Sequence, residues 1–261
     1  MRIYPSDVSD IQWSLIAKYF FSSRLGRPVV HSRRAILNAI LYVLRAGCQW
    51  NMLPHDFPPY KTVYDYFRRW RDSGLWILIS AALTAAARRA VGRKASPSLA
   101  IIDSQSVKCS QGKQVGKGID GYKKVNGRKR HLVVDVLGLI IACVVTPANL
   151  HDSQACELAM ELAFRNNTLT RLQTLIADKA YRGDLEYLIN LRFDIDLKVC
   201  EKSEDPGFKA KPKRWVVERT NAWLSASRRT AKDHEVYPES SVAWVHIANI
   251  RWALGKIEKA A

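Results

Sequence analysis

The chain has 261 residues, 48% of them hydrophobic, and carries 41 Lys and Arg against 24 Asp and Glu, a formal charge of +17. Its length and apolar content support a real core and exclude a chain disordered throughout. The charge points to a polyanion, because clustered Lys and Arg gain affinity by releasing the counterions condensed on nucleic acid.

The first ~95 residues read as helical. Ser9 or Asp7 can cap a helix with Ile11, Leu15, Ile16 and Tyr19 on one side. A second helix is predicted from about Ser32 to Arg45, stopped by Gly47. Pro54 to Pro59 must form a loop, and a third helix from about Thr62 carries Tyr64, Tyr66, Phe67, Arg68, Arg69, Trp70 and Arg71. Helix, Pro-rich turn and basic aromatic helix resemble a helix-turn-helix DNA reader, with Arg68, Arg69 and Arg71 as DNA contacts. A plain bundle with a solvated basic face is the blander alternative. The weakly polar run Leu75 to Ala87 is too short to span a bilayer and reads as a packing helix.

Gly92 to Pro97 marks a boundary between a helical DNA-binding domain, residues 1–95, and a second domain, residues 96–261. From there strands and helices alternate, an α/β arrangement. A buried strand ends at Asp103, and Arg130–Val136 and Leu139–Val145 form a hairpin. A helix runs from about Asp152 to Phe164, and a strand from Leu172 to Ala177 ends at Asp178. A helix over 184–191, a strand over 195–199, a long helix over 213–229 and a final helix over 241–257 complete the chain.

Three acids stand nearly alone in this basic sequence: Asp103, Asp178 and Glu218. An Asp at the carboxyl end of a buried strand lies where α/β sheets place ligands, and two on neighbouring strands would share one sheet edge. Glu218 falls on the polar face of the late helix, with Arg214, Ser225 and Arg229. Hard oxygen ligands suit two Mg²⁺ or Mn²⁺ ions, which favour in-line attack on a phosphodiester. Lys179, Arg182 and Arg214 could hold the DNA backbone beside them. Taken singly, an Asp ending a strand is more often a turn former or a helix cap, a role that Asp135 and Asp152 fit.

At these residues the chain resembles the bacterial insertion-sequence transposases of the DDE class, in the group around insertion sequence 5. The resemblance covers nearly the whole chain: YPSDVSDIQW, LRAGCQWNMLPHDFPPYKTVYDYFRRWRDSGLW, IIDSQSVK, GRKRHLVVDVLGL, ANLHDSQ, ADKAYRG and RWVVERTNAWL, in this order. It implies a ribonuclease H-like mixed sheet flanked by helices, with Asp103, Asp178 and Glu218 as catalytic triad and ligands of two metal ions. It implies cleavage at the element's ends, then attack of the freed 3′-OH on target DNA. The partners implied are double-stranded DNA, as terminal inverted repeats and target, and a second protomer in a synaptic complex. Two positions depart from the wider superfamily's pattern: Lys211 replaces a Tyr and Ser225 a Lys. Arg228, Arg229 and Lys232 lie close enough to substitute for that Lys. A silent DNA-binding regulator, and a ribonuclease H-like nuclease without strand transfer, are the competing readings.

Residues 108–130 hold eight Lys or Arg and five glycines, which predicts a mobile basic loop that closes on DNA through Lys123, Lys124, Arg128, Lys129 and Arg130. Trp215 is a candidate for stacking on an extruded base. The N-terminus lacks the apolar run of a signal peptide, so a cytoplasmic, nucleoid-associated location with no membrane partner is expected. The five widely spaced cysteines read as reduced thiols.

Overall fold

Local capping starts the N-terminal helices. The computed structural model describes residues 4–20, 30–110, 112–167, 169–200 and 215–261. Helix α1 (Asp10–Ile16) opens on a reciprocal capping box between Ser9 and Gln12. Helix α2 (Arg33–Ala46) begins where Ser32 Oγ accepts from Ala35 N, and it ends at Gly47, whose φ of 68° is the left-handed stop. Helix α3 (Tyr60–Asp72) buries Val63, Phe67 and Trp70, one residue per turn. Gly74 (φ 72°) turns the chain into α4 (Leu75–Ala90).

The remaining described elements form a mixed sheet with helices on both faces. Strands β1 (Leu99–Lys108), β2 (Gly118–Asp120), β3 (Val125–Asp135) and β4 (Ile140–Pro147) precede α5 (Asp152–Asn166). Then come β5 (Thr174–Ala177), α6 (Leu185–Phe193), β6 (Asp196–Val199), α7 (Trp215–Ser225), α8 (Arg228–Ala231) and α9 (Pro238–Ala260). β3 lies between β4 and β1 and is antiparallel to both, with β2 against its first residues. β5 and β6 continue beyond β1 in parallel. Three antiparallel strands followed by two parallel ones make the expected ribonuclease H-like α/β sheet, and the N-terminal region is helical as expected.

Several elements differ from the expectation. β1 does not end at Asp103 but continues to Lys108, because the long β3 supplies hydrogen-bond partners from Asp135 down to Gly127. The segment read as a mobile basic loop is therefore partly strand, at its start, at 118–120 and from Val125 on. Its tip is a turn organised by Asp120, which accepts from Tyr122 N, Lys123 N and Ser106 Oγ. The long helix ending near Arg229 is broken after Ser225, where Thr230 Oγ1 donates to Leu224 O at 2.5 Å and α8 starts in a new direction.

Strand alternation divides the core. Ile101, Leu132, Val134 and Ile176 face α7 and α9, whereas Ala100, Ile102, Val133, Leu175 and Ala177 face α5 and α6. The first cluster is continuous with α1–α4, so the N-terminal helices share one core with α9. Full burial of Trp76, Ile79, Trp244, Val245 and Ile247 in this layer stabilises by roughly 1.5–3 kcal/mol each. Asn249 joins its parts: Oδ1 accepts from Ile140 N of β4, and Nδ2 donates to Ser80 and Thr84 of α4. Buried Asp135 takes Leu137 N and Leu139 N in the β3–β4 turn, the turn role expected, and also pairs with Arg88 of α4. No helix among the described residues is long and apolar enough to cross a membrane. All five cysteines are free, and burial pushes the Cys143 and Cys156 thiols up to about 12.

Candidate active site

The strand register brings two of the three acids side by side. β1 and β5 run parallel, with Leu99 opposite Thr174 and Ile101 opposite Ile176. Carried two residues further, that register sets Asp103 level with Asp178, on strands about 4.8 Å apart. Alternation puts both on the sheet face of Ile101 and Ile176, the face against which α7 packs. Asp178 ends its strand and caps the next turn, accepting from Ala180 N at 2.9 Å. Asp103 is half-buried, and its Oδ1 accepts from Ser104 N. Tyr181, fully buried, feels the charges of both aspartates and of Asp152; burial first, then these carboxylates, hold its hydroxyl well above the usual range.

Glu218 lies in the first turn of α7, exposed, directly after buried Val216 and Val217. α7 is pinned to the β3–β4 turn, where Thr220 Oγ1 donates to Gly138 O and Arg219 Nη2 to Leu137 O. Gly138 has φ 79°, and a Cβ there would lie 2.8 Å from Thr220 Oγ1. Gly138→Ala is expected to cost about 2 kcal/mol from the left-handed backbone and to push α7 off the sheet. A fall in unfolding midpoint together with slower DNA cleavage checks this, and unchanged cleavage would show that α7 tolerates the shift.

The donors are all hard oxygens, the type that Mg²⁺ or Mn²⁺ selects. Among the described residues, however, no three His, Cys, Asp or Glu side chains stand close enough to hold a metal ion. The donor type fits; the spacing here is that of an adjacent aspartate pair with a glutamate on the helix packed over the same face.

The basic residues divide sharply. Arg68, Arg69, Lys123, Lys124, Lys179, Arg182 and Arg228 are exposed. Arg71 is half-buried and donates to Ser240 Oγ at 2.7 Å. Arg214 lies outside the described residues. Arg128 and Arg130, expected on DNA, are buried. Arg128 donates to Asp233 Oδ2, Glu235 O, Ser241 Oγ and Val236 O, and Arg130 to Thr230 O. Arg229 also turns inward, paired with Glu235 at 2.5 Å over the Trp244 ring. Lys129 is 12% exposed and pairs with Asp152 at 2.9 Å, while Ser104 Oγ donates to that carboxylate's other oxygen. Burial opposes Asp152 ionisation, but Lys129 and Ser104 outweigh it and hold the carboxyl below its usual range. The cap of α5 is His151 rather than Asp152, since its Nδ1 accepts from Ser153 N. Arg219 is a site-side residue that the sequence reading passed over. Its guanidinium lies 4.6 Å from the Trp215 ring and 4.7 Å from the Trp223 ring, and the i, i+4, i+8 spacing of the three was the available signal. That leaves Trp215 half-exposed with one face taken by a cation.

Comparison with known proteins decides the family. A family model described as a transposase DDE domain matches residues 94–252. The chain belongs to the DDE transposase family. A second model, described as a putative transposase of the IS4/5 family, matches residues 8–80 of this DDE transposase. The chain is 31% identical over 108 residues to a putative transposase for insertion sequence element IS402 from Burkholderia cepacia, an alignment covering 40% of this chain and 51% of that one. It thus spans about half the length of that relative. Looser likenesses are to a crystal structure of the Mos1 strand transfer complex (12% identity, 92% of this chain, 81% of that, TM-score 0.28) and to a Mos1 transposase paired-end complex with left transposon end (11%, 92%, 82%, TM-score 0.27).

Proposed function

We propose that this DDE transposase cuts DNA at the ends of its element and joins the freed 3′-OH to target DNA, with Asp103, Asp178 and Glu218 as the catalytic carboxylates. What supports this reading is the β1–β5 register, which, carried two residues past the Ile101–Ile176 pair, sets Asp103 beside Asp178 on the face against which the helix bearing Glu218 packs. Two divalent ions, Mg²⁺ or Mn²⁺, supply Lewis-acid polarisation and a more acidic attacking hydroxyl when bound. Asp103 and Asp178 would hold them, with Glu218, on the helix packed over the same face, as the third carboxylate. Lys179 and Arg182, exposed just after Asp178, bind the phosphates flanking the scissile bond. Arg214, four residues before Glu218, is proposed for the same task.

Arg68 and Arg69 on α3 and Lys123 and Lys124 on the β2–β3 turn extend the basic surface, and Arg228 adds to it. The helical residues 1–95 serve DNA recognition and residues 96–261 catalysis, although both draw on one core. Because two element ends must be joined together, at least two protomers act in one synaptic complex. The deciding assay incubates pre-cut element ends with target DNA and Mg²⁺. Joined product is expected. Nicking without joining would leave a nuclease, and binding without either would leave a regulator.

A further inference from the structure

Behind α7, away from the sheet, Arg45, Trp223, Arg251, Trp252, Lys256 and Lys259 line an open groove of about 400 Å³. Its lining has four cations and, among the described residues, no acid. Neighbouring Glu258 is engaged elsewhere, accepting from Ser9 Oγ and Gln12 Nε2 at 2.6 Å each. The groove is also held in shape. Arg45 donates to Ala226 O and Arg251 to Ser6 O and Pro5 O, while the Trp223 and Trp252 rings meet at 5.4 Å. Lys256 sits over the Trp223 ring at 5.8 Å, continuing the line Trp215, Arg219, Trp223 along α7. The carboxyl end of α9 brings roughly half a negative charge, which the four cations outnumber.

We infer that this groove is a second binding site on the chain, for the phosphate backbone of duplex DNA flanking the bond that is cut. This rests on the reading of Glu218 as part of the active site. Trp223 lies five residues beyond Glu218, about 7.5 Å along the helix, a span of roughly two nucleotides at 3.4 Å per step. The two also lie roughly 140° apart around the helix, so duplex held at Glu218 reaches the groove by following the flank of α7. Cations already cover the Trp223 ring, so the groove grips charge and does not read bases.

The test is fluorescence anisotropy of a labelled random-sequence duplex against the full chain across a salt titration. Lys256→Gln with Lys259→Gln should lower the slope of log affinity on log salt by about 1.8, the loss of two phosphate contacts. Lys94→Gln with Arg165→Gln removes the same charge from exposed positions remote from the groove and should move the slope little. Equal slopes for the two double variants would overturn the inference. A wild-type chain with no salt-dependent affinity would overturn the transposase reading itself, so the two failures are distinguishable.

Discussion

Asp103→Asn and Asp178→Asn should each cut end cleavage by roughly a thousandfold or more while leaving DNA affinity nearly unchanged. Asparagine keeps the size of the side chain and an oxygen that still accepts from Ala180 N at position 178. What it removes is a full negative charge from the pair that faces the proposed dications. Losing that transition-state stabilisation, about 4 kcal/mol, corresponds to three decades in rate. Glu218→Gln is expected to behave alike. Single-turnover cleavage of a labelled element end, with anisotropy on the same DNA, gives the answer. A variant that cleaves within tenfold of wild type would remove its residue from the site.

Arg128→Ala should fail differently, through stability. The guanidinium is wholly buried and ties β3 to the 233–241 segment through Asp233, Ser241 and the carbonyls of Glu235 and Val236, and to Val115 O as well. Truncation leaves buried Asp233 with Ser241 Oγ and Glu235 N as its hydrogen-bond donors among the described residues. Breaking a buried pair in this way costs about 3–5 kcal/mol, which lowers the unfolding midpoint by roughly 10 °C in a protein of this size. The protein that remains folded at low temperature should bind DNA with wild-type salt dependence. A normal midpoint with a reduced salt slope would instead return Arg128 to the DNA surface.

These residues show where sequence reading reached and where it stopped. Asp178 was legible because the apolar run before it ends in a chain turn, which local residues dictate. Asp103, expected at a strand end, lies mid-strand, since β1 is prolonged by pairing with β3 some thirty residues away. Arg128 and Arg130 could not be picked out by period two alone, because both faces of β3 are buried. They continue the face of Leu132 and Val134, whereas Lys129 and His131 share the face of Val133. What no local pattern discloses is the acid that makes burial tolerable, Asp233, more than a hundred residues downstream. Basic sequence therefore overstated the DNA surface: three of its arginines neutralise the interior. Glu218 was placed on the correct helix, but the break after Ser225 redirects Arg229, and only the tertiary contacts of Glu235 and Trp244 dictate that turn.

The sharing of one core by α1–α4 and α9 has a consequence for biogenesis. Residues 10–90 leave the ribosome first, yet the apolar stripe of α4 stays uncovered until residues 238–260 have been synthesised. Contacts of such long sequence separation close late and slowly. The nascent chain therefore cannot finish packing its N-terminal helices until residues 238–260, beyond the three proposed catalytic acids, have been made.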